Sequence, residues 1–278
     1  MSGPRATRPA PAGQPRQPEV PGRSEGAERS AKSGPTAQPR QTVRGPGRGQ
    51  VQERDLGRGQ VQGQDQGRGR LLSRLLAGLV VVTYNSWVLW WLNDDPLVMH
   101  GYLSELAAQD QPYQWLFRLG DLLAAVGFLL TAWWGRRAWS HWLGPWARWV
   151  AAAVAVAGLG TALDVSCNLP CAESRDPVCA ATPYLVRHLH ELASVLVGAA
   201  LVAAIALVAW ALARRDGWGW RSMGVAGLAL LVSGLMVGSV LLPLVLPASR
   251  GPVQALQVLL CSAWVALLAL RLEGAGRA

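Results

Sequence analysis

Six long apolar segments constrain what this chain can fold into. They lie at about 71–92, 114–134, 149–165, 184–212, 222–246 and 253–270. A helix rises 1.5 Å per residue, so about 20 apolar residues cross a hydrocarbon core about 30 Å thick. A helix also satisfies its own backbone hydrogen bonds, as lipid requires. The sequence therefore predicts an all-α membrane protein whose residues 71–278 form a six-transmembrane-helix bundle.

Residues 1–70 differ sharply from this bundle. They are rich in Gly, Pro, Gln and Arg, repeat GRGQVQ at 47–52 and 57–62, and carry +7 of the net charge of +9. Such a segment lacks the apolar surface that offsets ordering entropy, so we expect a disordered, basic, cytoplasmic tail. Two interpretations remain open, namely contact with RNA or anionic lipid headgroups and a merely solvated leader, and runs of this kind are usually solvated. The charge belongs mostly to the tail and predicts no specific nucleic-acid partner.

The placement of arginine predicts the orientation of the bundle. With the N-terminus inside, the inner connections carry Arg136, Arg137, Arg148, Arg214, Arg215 and Arg221, whereas the outer loops carry Arg175 and Arg250. Cytoplasmic connections are enriched in Arg and Lys. Arginine is favoured so strongly that Lys32 is the single lysine, a composition typical of a GC-rich bacterial genome. We therefore expect a multi-pass protein of the bacterial cell membrane with both termini cytoplasmic.

The inner connection between the second and third spans is rich in tryptophan. It reads GRRAWSHWLGPWARW at 135–149. Indole favours the membrane interface because its body is apolar and one edge is polar. We predict that this segment lies partly in the inner headgroup layer.

Ionisable and polar residues inside the spans gather at one depth, the outer third. They are Arg118, Asp121, Asp164, Arg187, His188, His190, Glu191 and Ser194. Charges within a membrane are costly and usually face the bundle interior or water. In the fourth span, residues 187, 190, 191 and 194 follow helical spacing and form one stripe, and His188 points about a quarter turn away.

These positions predict a pocket. Asp121, Asp164 and His190 should meet within it, with Arg118 and Glu191 at its rim. One interpretation is an outward-facing site that binds a metal, relays protons or holds a lipid headgroup. The other is a structural ion-pair network that fixes helix register. The chain has no His-x-x-x-His or Glu-x-x-His pattern, so no metal site and no cofactor are predicted.

Three cysteines, Cys167, Cys171 and Cys179, lie in one outer loop. Oxidation is the default outside the cytoplasm, and three cysteines allow three pairings with one thiol left over. Zinc is the competing interpretation, but the spacing matches no familiar four-ligand pattern. Cys261, in the sixth span, is expected to be a small buried apolar residue.

Two stretches carry a family resemblance. They are YLSELAAQDQPYQWLFRLGDLLA at 102–124 and LDVSCNLPCAESRDPVCA at 163–180, the latter followed by HLHELAS at 188–194. Together they resemble the actinobacterial branch of the domain-of-unknown-function 998 family of multi-span membrane proteins, over about 80–270. The resemblance implies that the recurring positions fall here on Ser104, Glu105, Arg118, Asp121, Cys171, Cys179 and His190. The family has no established activity, so the resemblance implies an architecture and a set of residues but no function.

The resemblance also favours a disulfide between Cys171 and Cys179. The segment between them, AESRDPV, is short and contains Pro177, so the chain can turn back readily.

Three hypotheses follow, in this order. The first is a non-enzymatic envelope protein that is structural, binds lipid or binds a partner, with the bilayer itself as its surroundings. The second is an intramembrane lipid hydrolase that would use Asp121, Asp164, His188 and His190 around a metal. The third is a small transporter whose charged stripe lines a pathway.

Overall fold

The computed structural model describes residue 67 and residues 69–94 and 97–272. Within these residues the structure contains helices and turns and no strand. Apart from residues 67, 69 and 70, the predicted tail of residues 1–70 lies outside the described part of the chain, and so do its predicted disorder and its contacts with lipid.

The described residues form eight α-helices, which we number α1 to α8. Helix α1 covers 69–84 and is continued by a 3-10 helix at Ser86–Asn93. The others are α2 (Gln114–Ala138), α3 (Ser140–Leu143), α4 (Ala147–Ser166), α5 (Pro177–Ala181), α6 (Leu185–Asp216), α7 (Trp220–Leu241) and α8 (Arg250–Leu270).

Six helical segments are long and apolar enough to cross a membrane, which confirms the predicted number. They are Gly69–Asn93, Gln114–Ala138, Ser140–Ser166, Leu185–Asp216, Trp220–Leu244 and Pro247–Leu270. The third was expected to be the shortest, but short α3 joins α4 and lengthens it to 27 residues. Large apolar side chains such as Leu230 (75% exposed) lie on the outside of the bundle, as expected for a lipid-facing surface.

The helices pack in chain order around a closed ring. Helix α2 packs against α4, α4 against α6, α6 against α7 and α7 against α8, and α8 returns to α2. Helix α1 contacts α2, where the Tyr84 ring meets Phe128 edge to face at 5.1 Å, and Asn85, the residue after α1, reaches α8 by donating from Nδ2 to Ser262 Oγ at 2.7 Å. This order makes α2, α4 and α6 successive neighbours, and they carry most of the predicted polar residues.

The bundle has two chemically different ends. One carries the long connections at 97–113 and 167–184 and the short one at 242–249, and we call it the loop end. The other carries the connections at 139–146 and 217–219 together with most of the tryptophan and arginine, and we call it the Arg–Trp end.

Candidate functional site

A buried carboxylate, Glu105, joins the two long connections of the loop end. Its side chain is 2% exposed. Oε1 accepts from the backbone N–H of Tyr102 at 3.1 Å, and Oε2 accepts from the backbone N–H of Ser174 at 3.0 Å and from the Ser174 hydroxyl. Hydrogen bonds to a carboxylate are stronger than those between neutral groups, so Glu105 holds the connection at 97–113 against the connection at 167–184.

A second set of contacts repeats this junction nearby. Both carboxylate oxygens of Asp110 accept from the backbone N–H of Ala172 at 3.1 Å, and the backbone N–H of Gln109 donates to Leu169 O at 2.9 Å. The two connections therefore form one interlocked cap, rather than two independent loops.

Helix α8 holds the same cap from the other side of the ring. Gln254 Oε1 accepts from the backbone N–H of Leu103 at 2.7 Å. The carbonyl oxygen of Met99 lies so close to Gly251 that a Cβ added there would meet it at 2.1 Å. This close approach leaves no room for a Cβ atom, which explains why a glycine stands in the first turn of α8.

The structure pairs Cys171 with Cys179 within the cap, with their Cα atoms 6.5 Å apart. The turn between them is built by Asp176, whose Oδ1 accepts from the backbone N–H groups of Val178 and Cys179 at 2.9 and 3.1 Å and caps α5. Cys167 and Cys261 are free and buried.

We predict that non-reduced peptides of the purified protein contain the Cys171–Cys179 bridge. Closing this short loop should stabilise the cap by about 2–3 kcal/mol, so Cys171→Ala should lower the unfolding temperature and Cys167→Ala should lower it less. Mass spectrometry of non-reduced digests measures the bridge directly. Free thiols at both positions, or a bridge that includes Cys167, would contradict the pairing.

Beneath the cap lies a cavity of about 110 Å³, which we call the loop-end cavity. It is large enough for several water molecules or a small ligand group. Its polar lining comes from α1 and the following 3-10 helix, the first connection, α2, α4, α6 and α8, namely Tyr84, Ser86, Ser104, Asp121, Thr161, Asp164, Ser194, Gln254 and Gln257.

Asp164, His190 and Ser194 form one wall of this cavity and the layer behind it. Ser194 Oγ donates to Asp164 Oδ1 at 2.6 Å. His190 Nδ1 lies 3.3 Å from the same oxygen, and its imidazole is buried, with Nε2 lacking a partner among the described residues. Asp164 therefore has both a hydroxyl donor and an adjacent imidazole.

Asp121 is placed differently. It is half-buried and lines the same cavity, but within the described residues its carboxylate has no hydrogen bond and no cationic partner. Arg118, expected at the rim of the pocket, forms no ion pair with Asp121 within the described residues and does not line the cavity. Arg118 Nη2 instead donates to Val165 O at 3.3 Å, and its guanidinium stacks over Trp115 at 4.5 Å from the ring centroid.

The predicted stripe on the fourth span divides into two sets. His190 and Ser194 face Asp164, whereas Arg187 and Glu191 pair with each other at 3.2 Å and Glu191 is half exposed. His188 pairs with Glu191 at 3.4 Å and is 68% exposed. The stripe divides because Glu191 lies about 100° around the helix from His190 and so falls outside the interface between α6 and α4.

Arg187 links α6 to the cap. Its Nε lies 2.8 Å from Glu173 Oε1, and its Nη1 donates to Ala180 O at 2.8 Å. Burial raises the pKa of the Glu173 carboxyl, Arg187 opposes that shift, and the carboxylates of Glu105 and Glu191 add to it. Arg187 thus contacts the cap, and neither Arg187 nor Glu191 lines the cavity.

Sequence reasoning did not assign several polar lining residues to the site, among them Tyr84, Thr161, Gln254 and Gln257. Of these, only Gln254 and Gln257 could have been found from a sequence pattern. Two glutamines at i and i+3 near the start of the last apolar segment present a polar face, which a lipid-facing helix would not tolerate.

The described residues contain no group of three or more His, Cys, Asp or Glu side chains that could hold a metal ion. Asp121 and Asp164 line one cavity, but His190 is not part of that lining and presents Nδ1 to Asp164. The arrangement is instead that of a small anionic cavity lined by oxygen and amide groups.

Comparison with known proteins gives one family. No curated protein and no solved structure matches the chain. The family model described as "Protein of unknown function (DUF998)" matches residues 75–271, which is most of the chain. The match includes all six membrane-spanning candidates, except for the first few residues of the first one. The loop-end cavity and its cap lie within that match, and the chain belongs to the DUF998 family.

Proposed function

We propose that this chain is a non-enzymatic membrane protein of the bacterial cell envelope that binds a positively charged amino group in its loop-end cavity. The amino group belongs either to a lipid headgroup or to a small free amine. The proposal specifies the lipid-binding hypothesis drawn from the sequence.

One observation carries the proposal: the cavity holds two carboxylates and one of them, Asp121, lacks a cationic partner among the described residues. A carboxylate taken out of water without a partner is costly, and a second carboxylate facing the same space adds repulsion. A cation in the cavity removes both costs.

The remaining lining selects the kind of cation. A primary ammonium group has three N–H donors, and the cavity offers acceptor oxygens on Asp121, Asp164 and Gln257. Hydrogen bonds between an ammonium and a carboxylate are short and about twice as strong as neutral ones. A primary ammonium therefore matches this cavity better than a quaternary ammonium, which has no N–H to donate.

The hydrolase hypothesis is less well supported by the same geometry. It needs His188 beside Asp121, Asp164 and His190, but His188 is mostly exposed and pairs with Glu191 on the other side of α6. No contact of the described residues specifically favours a transporter.

Binding of ethanolamine tests the proposal. Ethanolamine should raise the unfolding temperature of the purified protein, and ethylene glycol, which replaces the amine with a hydroxyl, should not. In mixed nanodiscs, native mass spectrometry should show phosphatidylethanolamine retained over phosphatidylcholine if the amine belongs to a lipid. Binding of ethanolamine without lipid preference assigns the cavity to a free amine, and binding of neither rejects the proposal.

We also propose that the loop end faces the outside of the cell, with both termini inside. The Arg excess at the opposite end and the oxidised cysteine pair support this orientation.

A cysteine-labelling experiment in intact cells tests the orientation. With Cys167 and Cys261 replaced by Ala and the bridge kept, Val178→Cys should react with a membrane-impermeant maleimide because Val178 is 77% exposed at the loop end. Ser140→Cys, at the Arg–Trp end, should react only after permeabilisation. The reverse pattern would overturn the assigned orientation.

A further inference from the structure

A second pocket lies at the Arg–Trp end, the opposite end of the bundle from the loop-end cavity. It occupies about 290 Å³ between the connection that joins α2 to α4 and the last turn of α6, and we call it the hairpin pocket. The side chains that matter here are Ser140, His141, Trp142, Trp146, Arg214 and Arg215.

The wall of the hairpin pocket is fixed by buried contacts. Trp139 is fully buried, and its Nε1 donates to Leu268 O at 3.1 Å, which ties the connection to α8. Gly135 leaves room for that indole, since an added Cβ would meet its ring at 2.4 Å. Gly144, with φ at 58°, ends α3 in a backbone conformation that favours glycine. The sequence thus builds a defined wall rather than a loose loop.

The hairpin pocket has an excess of positive charge. Arg215 is partly neutralised, because its guanidinium lies 3.5 Å from Asp216 and donates to Trp142 O at 3.2 Å. Arg214 stacks near Trp210, at 5.7 Å from the ring centroid, and within the described residues it has no carboxylate partner. The indole N–H of Trp142 is buried and also has no acceptor there.

We infer that the hairpin pocket binds the phosphate group of an anionic phospholipid. Arg214, together with the partly neutralised Arg215, would supply the positive charge and the N–H donors. Arginine suits phosphate because its planar fork donates two parallel hydrogen bonds.

A lipid fits this position better than free phosphate. Trp146 and Trp210 meet edge to face at 6.4 Å beside the pocket, and the neighbouring Trp149 is 53% exposed. Exposed indoles at the end of an apolar helix bundle mark the headgroup layer, so the pocket opens where a phospholipid phosphate lies. The indole faces would contact the first carbons of the acyl chains.

Lipid retention in mixed nanodiscs tests the inference. The full chain is reconstituted with equal parts of phosphatidylglycerol and phosphatidylcholine, and native mass spectrometry counts the lipids that stay bound. Arg214→Gln should lower phosphatidylglycerol retention about five-fold. The matched control is Arg221→Gln, which removes an arginine that stacks over Trp220 at 5.2 Å outside the pocket and should leave retention unchanged.

Two further arms separate the alternatives. Arg215→Gln removes the other guanidinium of the pocket and should also lower retention, which keeps the test decisive if Arg214→Gln misfolds. Equal losses in Arg214→Gln and Arg221→Gln would show diffuse attraction to an anionic surface and overturn the site. Displacement of the bound lipid by inorganic phosphate would overturn a lipid as the occupant.

Discussion

Asp121→Asn is expected to weaken ethanolamine binding about 100-fold while leaving the unliganded protein at least as stable as the wild type. The substitution keeps the shape of the side chain but removes the charge. Loss of one partner from a buried ion pair costs about 3–5 kcal/mol, and each 1.4 kcal/mol is a factor of ten in affinity. Without ligand, the same change relieves repulsion from Asp164, since both side chains line one cavity.

The stability readout distinguishes this role from a structural one. Asp164→Asn should also lose binding, but it should in addition lower the unfolding temperature, because Asp164 accepts from Ser194 and contacts His190. Glu191→Gln, on the exposed side of α6, serves as the control and should affect neither binding nor stability appreciably. If Asp121→Asn lowers stability and leaves ethanolamine binding intact, Asp121 is structural and the proposed function is wrong.

Glu105→Ala should destabilise the protein by about 3 kcal/mol or more, the largest loss of stability expected from a single change in the cap. It removes the buried acceptor for two backbone N–H groups and one hydroxyl, and a hydrogen bond to a carboxylate contributes about 1.5–3 kcal/mol. Thermal unfolding measures the loss. Amide hydrogen exchange at Tyr102 and Ser174 should accelerate, because both N–H groups lose their partner.

Two matched variants define the cause. Glu105→Gln retains one carbonyl oxygen but presents an NH2 group to the other donors, so it should lie between the wild type and Glu105→Ala. Glu191→Ala removes a half-exposed carboxylate and should cost no more than about 1 kcal/mol. Unchanged exchange at Tyr102 and Ser174 in Glu105→Ala would mean that this carboxylate does not hold the cap.

The number of long apolar helices follows from the sequence because lipid imposes a length and an internal hydrogen-bond requirement on every spanning segment. The contact of Asp164 with His190 and Ser194 could also be predicted from the sequence. Helical spacing puts residues 190 and 194 on one face, and short connections make consecutive helices neighbours. The structure brings these three side chains together.

The rest of the site depends on contacts that local patterns do not encode. The last helix closes the ring beside the first two, so Gln254 and Gln257 reach the cavity from more than 130 residues beyond Asp121 in the chain. Arg118 lies three residues before Asp121, yet it contacts Val165 and Trp115, on and beyond its own helix, and sequence spacing alone does not indicate this. The burial of Glu105 likewise arises only when the two connections meet.

The central claim is that the loop-end cavity holds an ammonium group against Asp121, and a distance measurement tests it most directly. The protein is prepared in lipid with 13C at the aspartate side-chain carboxyls, and 15N-ethanolamine is added. Solid-state NMR dephasing between these nuclei should report a nitrogen about 3–4 Å from a carboxyl carbon, as an ammonium–carboxylate hydrogen bond requires, and the signal should be lost in Asp121→Asn. A carboxyl contact of equal strength that persists in Asp121→Asn, or no contact with any carboxyl at saturating ethanolamine, would contradict the claim.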